Sequence, residues 1–328
     1  MNAPTCANYR FHDLAPDLGS FLEDVMTGLS FPQKNLAAKY FYDERGSELF
    51  EAICELPEYY PTRTELALMR QHAPSMAQQI GDGALLIEYG SGSSTKTPIL
   101  IDAIRPAAYV PIDISREQLM QSALALAEVR PALQVRAICA DYSRELTIPT
   151  FDDLHFRRKL IYFPGSTIGN FDAIETDAFL RKMAQVAGPN GAALIGVDLK
   201  KDAATLHAAY NDAAGVTAEF NLNVLRRINR ELGGNFNLNA FRHHAFYNEA
   251  LGRIEMHLLS LRSQTVTIGS NQFSMRDGET IHTEISCKYS IEEFQSIANR
   301  AGLAATAVWT DPAQLFSVHF LTVASVGK

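Results

Sequence analysis

The 328-residue sequence holds few cysteines and no closely spaced pair of them. Cys6, Cys54, Cys139 and Cys287 are widely scattered, and three lie inside apolar runs, as reduced core cysteines do. A disulfide framework or a zinc ribbon is therefore not expected. A surplus of positive charge is missing as well. With 29 Lys and Arg against 37 Asp and Glu, the net charge is −8, which disfavours a nucleic-acid backbone as the main partner. No run approaches the ~18 uninterrupted apolar residues of a membrane span. The opening stretch MNAPTCANYRFHDLAPDLGS has neither a basic nor an apolar region, so no secretory signal is expected. Internal repeats and low-complexity linkers are absent too. What remains is a globular composition, 47% apolar and 20% charged, long enough for two domains or for one domain with a large insertion. A cytoplasmic monomer is expected, engaging neither nucleic acid nor membrane.

Three zones follow from the punctuation. Up to Thr64 the pattern is short helical pieces and turns, with Ser47 placed to cap a helix carrying Leu49, Phe50, Ile53 and Cys54, and Pro57 ending it. The middle zone alternates strand-like runs (Ala84–Tyr89, Ala108–Ile114, Leu133–Ala140, Lys159–Phe163, Ala192–Leu199) with helical ones such as Arg116–Val129 and Ala173–Val186. Short apolar strands separated by helices imply a parallel sheet covered on both faces, wound right-handedly. The last zone opens with a long helical stretch over Ala203–Leu232. It continues with hairpin-like segments at Arg253–Arg262, Gln264–Ile268 and Thr280–Tyr289, a helix opened by Ser290, and two closing strands, Thr306–Trp309 and Ser317–Val323.

The most informative segment is Leu85-Leu86-Ile87-Glu88-Tyr89-Gly90-Ser91-Gly92-Ser93-Ser94-Thr95-Lys96-Thr97. A strand runs into a Gly-x-Gly turn, where a Cβ would block both the turn and the approach of a ligand. The third glycine of a dinucleotide fingerprint is missing, replaced by Thr95, which favours a smaller nucleoside over a nicotinamide dinucleotide. Asp113 ends the second strand, 23 residues after Gly90, the place from which a carboxylate accepts both ribose hydroxyls. Asp141 follows the third strand and can accept from an adenine amino group, with the ring of Tyr142 beside it. A lone GxG is usually just a turn, and a lone Asp after a strand is usually a cap. Ordered on successive strands, these residues mark a nucleoside crevice.

Several segments then become recognisable together. Among them are Lys39-Tyr40-Phe41-Tyr42-Asp43, Leu56-Pro57-Glu58-Tyr59-Tyr60-Pro61-Thr62-Arg63-Thr64-Glu65, Gly165-Ser166-Thr167-Ile168-Gly169-Asn170, Ala209-Tyr210-Asn211-Asp212 and Thr283-Glu284-Ile285-Ser286-Cys287-Lys288. Over nearly its whole length the sequence resembles the L-histidine Nα-methyltransferases of ergothioneine biosynthesis. The resemblance implies an α/β fold: a doubly wound, Rossmann-like class I methyltransferase sheet (residues 64–200 and 288–328) with a discontinuous α+β substrate-binding domain (residues 1–63 and 201–287). It implies S-adenosyl-L-methionine as cofactor and trimethylation of L-histidine, through its mono- and dimethylated forms, to hercynine. Gly90, Lys96, Asp113, Asp141 and Tyr142 match cofactor contacts. Tyr59, Asn170 and Tyr210 match the amino-acid head group, and Glu284, Ile285 and Ser286 the imidazole side, with Met256 bordering that pocket.

The residue chemistry agrees. Asn170 and Tyr210 can donate to a carboxylate, Glu284 can accept from an imidazole N–H, and Ser286 can serve the other ring nitrogen. Taken singly, each of these residues is more often an ordinary cap, surface or core group. Tyr42 and Tyr59 are candidates for orienting the amine, and no residue is singled out as general base. His243, His244 and His257 show no metal spacing, so no metal is expected. The alternatives are a related methyltransferase acting on another amino acid such as tryptophan, a nicotinamide dehydrogenase, and a catalytically silent nucleoside-binding partner.

Overall fold

The structure is a computed structural model that describes residues 6–14, 19–92, 95–143 and 146–324. Ser93 and Ser94 of the glycine-rich turn, and the first five residues of the opening stretch, lie outside the described residues. In chain order the elements are β1 (Tyr9–Asp13), α1 (Gly19–Ser30), β2 (Lys34–Asn35), α2 (Glu44–Cys54), α3 (Tyr60–Ile80), β3 (Leu85–Tyr89), α4 (Thr97–Ile104), β4 (Ala108–Asp113), α5 (Arg116–Val129), β5 (Gln134–Cys139), β6 (Lys159–Phe163), α6 (Ala173–Ala187) and β7 (Ala192–Asp198). They continue as α7 (Ala203–Tyr210), α8 (Val216–Leu232), β8 (Phe241–Asn248), β9 (Arg253–Ser260), β10 (Gln264–Ile268), β11 (Asn271–Met275), β12 (Thr280–Cys287), α9 (Ile291–Arg300), β13 (Leu303–Thr310) and β14 (Phe316–Val323). The chain divides into two compact units, one of Met1–Pro16, Arg63–Leu199 and Tyr289–Lys328, the other of Asp17–Thr62 and Lys200–Lys288.

The first unit is a mixed α/β layer structure. Its eight-stranded sheet has the order β1-β5-β4-β3-β6-β7-β14-β13. The strands from β1 to β7 in that order run parallel, and β14 and β13 add antiparallel at one edge. Every residue of β3 and of β7 is buried, as strands covered on both faces must be. Side chains such as Leu86 and Ile87, fully withdrawn from water, each stabilise the unit by about 1.5–3 kcal/mol. From β3 the winding goes one way to β4 and β5 and the other way to β6 and β7. The strand order therefore reverses between β3 and β6, which opens a crevice at the carboxyl ends of the strands. One expectation fails here. β1 pairs in parallel with β5, Tyr9 opposite Val135, so Tyr9–Asp13 belongs to this unit and not with the remainder of 1–63.

The second unit builds a four-stranded sheet, β2-β12-β9-β8, beside a β10–β11 hairpin. Helix α8 lays Phe220, Val224, Leu225 and Ile228 inward at helical spacing. Helix α2 starts earlier than Ser47, because the carboxylate of Asp43 accepts from the Gly46 amide at 2.8 Å and caps it. The expected long helix over Ala203–Leu232 is two helices. Gly215, at φ +74°, breaks it and leads into α8. Strand β12 carries a bulge between His282 and Glu284: His282 lies opposite His257, while Glu284 lies opposite the adjacent Met256. Among the described residues no helix is long and apolar enough to cross a membrane.

Candidate active site

In the first unit the residues expected to meet a nucleoside lie at or just beyond the strand tips. Gly90 sits at φ +72°, and a Cβ there would lie 3.2 Å from the Tyr142 hydroxyl, so only glycine leaves the turn open. The amide of Gly92 donates to Asp113 Oδ2 at 2.9 Å, and that of Ser115 to Oδ1 at 2.8 Å. Burial pushes the Asp113 carboxyl above its ordinary range, and these amides pull it part of the way back. Asp141 folds back on its own turn, accepting from the amide and hydroxyl of Ser143 through Oδ1. The ring of Tyr142 packs within an aromatic cluster. It stacks on Tyr89 at 5.6 Å between centroids and 2° between planes, and meets Phe163 edge-on, so it reaches the turn at Gly90 with its hydroxyl.

The turn is anchored by two buried carboxylates. Glu88, on β3, accepts from Thr97 Oγ1 at 2.8 Å and from the Tyr109 hydroxyl, which ties the first residue of α4 to the sheet. Glu65, on α3, is fully buried and pairs with the Lys96 ammonium. It also accepts from the Gly165 amide at 2.9 Å. Gly196 on β7 makes room for it, since a Cβ there would come within 2.2 Å of Glu65 Oε1. Lys96 is thus a held cation beside the glycine-rich turn, and Glu65, which sequence reasoning does not single out, is what holds it. Nothing local in a sequence marks a buried glutamate on a helix.

Gly165 begins a short segment that ends in the 3-10 turn Thr167–Asn170. Ser166 adopts φ +57°, and its Oγ accepts from the Asp198 amide at 2.9 Å. Asn170, half-buried at the end of this turn, has no side-chain hydrogen bond among the described residues. Its amide remains available to a ligand.

The second unit carries the other expected head-group residues. Tyr59 meets Tyr210 edge-on at 6.3 Å and Phe50 at 6.3 Å, and Tyr42 meets Phe50 at 5.6 Å and Phe220 at 5.8 Å. The adjacent Tyr60 is engaged elsewhere: the Lys201 ammonium bonds its hydroxyl and lies over its ring at 4.4 Å. Burial, with Tyr210, Cys54, Tyr42 and Glu284 nearby, holds the Tyr59 hydroxyl far above its ordinary range. It stays protonated and can orient an amine without acting as its base.

On β12, Glu284 has no side-chain hydrogen bond among the described residues. Desolvation pushes its carboxyl up to about 7, against the pull of Lys288. Ser286, two residues along on the same face, accepts from the Tyr210 hydroxyl at 2.8 Å and from the Lys288 ammonium at 2.8 Å. Both acceptor positions of Ser286 are filled, so its remaining capacity is to donate its own proton. Met256, almost fully buried, lies in register with Glu284 on that face. Ile285 is the exception. Strand alternation turns its side chain to the opposite face, in register with Glu255, and removes it from the Glu284–Ser286 set. Lys288, buried and set over the Tyr210 ring at 5.0 Å, is the residue missed on this side.

A family model described as histidine-specific methyltransferase, SAM-dependent, matches residues 21–323. The chain is 40% identical over 319 residues to a histidine N-alpha-methyltransferase of Mycolicibacterium smegmatis, covering 95% of this chain and 97% of that relative. It is also 40% identical over 302 residues to a histidine N-alpha-methyltransferase of Mycobacterium tuberculosis, covering 90% of this chain and 92% of the relative. An ergothioneine biosynthesis protein 1 of Neurospora crassa is 34% identical over 296 residues, a match that takes in 84% of this chain and 32% of the fungal protein.

Proposed function

Since this chain belongs to the family of histidine-specific, S-adenosylmethionine-dependent methyltransferases, we propose that it methylates the α-amine of free L-histidine three times. The products are hercynine and S-adenosylhomocysteine, at the entry to ergothioneine synthesis. The choice of substrate is supported above all by the pattern on β12, an unpaired carboxylate at Glu284 beside a hydroxyl restricted to donation at Ser286. A neutral imidazole offers one N–H and one bare nitrogen, and so complements that pair. An indole has an N–H and no acceptor, and would leave the Ser286 proton unmatched at a cost of about 1–3 kcal/mol.

When bound, S-adenosylmethionine supplies an electrophilic methyl on a sulfonium. Gly90 opens the turn for the nucleoside, Asp113 accepts the ribose hydroxyls, Asp141 accepts from the adenine amino group, and Lys96 offers its ammonium to the carboxylate of the donor. For the acceptor, Asn170 offers an amide donor suited to a carboxylate, while Glu284 and Ser286 complement the ring and Tyr210 aims the Ser286 proton by donating to its oxygen. With both ends held, the amine has few orientations left, and such positioning can account for several kcal/mol of barrier lowering. The rings of Tyr42 and Tyr59 present π faces suited to an ammonium that gains charge density in methyl groups as the reaction proceeds. The amine sheds its proton before each transfer. Tyr59 orients the amine and does not take that proton.

A donor labelled in its methyl group, offered with each free amino acid in turn, tests the reading. Label should accumulate in histidine. Equal label in tryptophan would remove Glu284 and Ser286 as the basis of selectivity.

A further inference from the structure

On the opposite face of the same sheet, three side chains from two strands converge. Glu255 and His257 lie two residues apart on β9, and the β12 bulge turns His282 onto their face, directly opposite His257. One ligand atom from each lies within 4.8 Å of the others. The geometry points to a site for a borderline divalent transition cation such as Zn²⁺, held by Glu255, His257 and His282. This inference is independent of the methyl-transfer reading.

Glu255 and His282 are each prepared for ligation by a partner behind them. Glu255 Oε1 accepts from Arg253 Nε at 2.9 Å and from Asn248 Nδ2 at 3.1 Å, which fixes the carboxylate and leaves Oε2 facing His257. Oε2 stands 3.2 Å from His257 Nε2. That is close to the edge of a tetrahedron with ligands at roughly 2.0–2.1 Å, which is about 3.3 Å. His282 Nε2 lies 3.1 Å from the Glu284 carbonyl oxygen, which can only accept. The proton therefore sits on Nε2 and Nδ1 carries the lone pair, the outer-shell arrangement usual for metal-binding imidazoles. His257 is buried with Nε2 turned toward Glu255, and its Nδ1 has no partner among the described residues. The His257 and His282 rings lie 4.8 Å apart, and half-buried His282 can close the remaining gap by side-chain rotation. Two imidazoles and one carboxylate oxygen select zinc, copper or nickel over magnesium or calcium.

The experiment uses the full chain, stripped with a chelator and titrated with Zn²⁺ by calorimetry, with Cu²⁺ as a spectroscopic probe of nitrogen ligation. One equivalent of Zn²⁺ per chain should bind and raise the melting temperature. Copper should show at least two nitrogen ligands. His282→Gln, at the half-buried rim, should weaken Zn²⁺ by roughly tenfold or more and abolish the thermal shift, and Glu255→Gln should behave alike. The exposed His155→Gln should bind as the parent does. No saturable Zn²⁺ binding, or binding that His282→Gln leaves unchanged while the variant melts like the parent without metal, would overturn the site.

Discussion

The ammonium of Lys288 donates to the hydroxyl oxygen of Ser286 at 2.8 Å, and the Tyr210 hydroxyl donates to that same oxygen. The pair of donors turns a serine, normally able to donate or accept, into a donor alone. Lys288→Met should therefore raise the KM for histidine by roughly tenfold, the equivalent of about 1–2 kcal/mol, while leaving cofactor affinity unchanged. Unaltered histidine kinetics in a variant that melts normally would show that Ser286 does not meet the ring.

Glu284 carries a pH signature. Its carboxyl titrates near 7, so it accepts an N–H above that pH and loses the capacity as the pH falls below it. The KM for histidine, measured with chelator present, should rise as pH drops from 8 to 6. Glu284→Gln should raise KM by about tenfold to a hundredfold and flatten this step. The rise of kcat with pH that comes from the substrate amine should survive. A wild-type KM independent of pH across that range would contradict the assignment.

Glu65 and Lys96 form a buried pair, so removing one partner should cost more than removing both. Glu65→Gln should lower the melting temperature and weaken the cofactor. Lys96→Met should weaken the cofactor and strand a buried carboxylate. The double variant should be at least as stable as the less stable single one, with a coupling energy of about 1–3 kcal/mol in a double-mutant cycle. Additive losses would mean that the two side chains act separately.

Asp113 is held by the amides of Gly92 and Ser115, yet burial keeps its carboxyl above the ordinary range. Cofactor affinity should thus fall, on acidification, at a higher pH than an exposed aspartate would give. Asp113→Asn should weaken the cofactor by about 1.5–3 kcal/mol and spare histidine binding. A normal cofactor titration would refute the ribose role.

The parts of this molecule that were legible in sequence are those set by neighbours along the chain. Gly90 and Asp113 each end a buried strand, and the alternation of apolar runs with helices was enough to place both tips on one parallel sheet. Glu65 reaches Lys96 across 31 residues, and only tertiary packing joins them. The β12 bulge had a double effect. It keeps Glu284 beside Met256 while moving His282 to His257, so a histidine pair with no sequence spacing becomes adjacent; ordinary strand alternation, and not the bulge, turns Ile285 away from Glu284 and Ser286. Ser47 does not cap the helix, because Asp43, four residues earlier, already satisfies its start.

The most direct measurement of the central claim is mass spectrometry of histidine incubated with S-adenosylmethionine and the purified chain. The account requires one, two and finally three added methyl groups, all on the α-nitrogen, with the trimethylated species accumulating. Histidine recovered without any added methyl, or methylated on its ring, would contradict it.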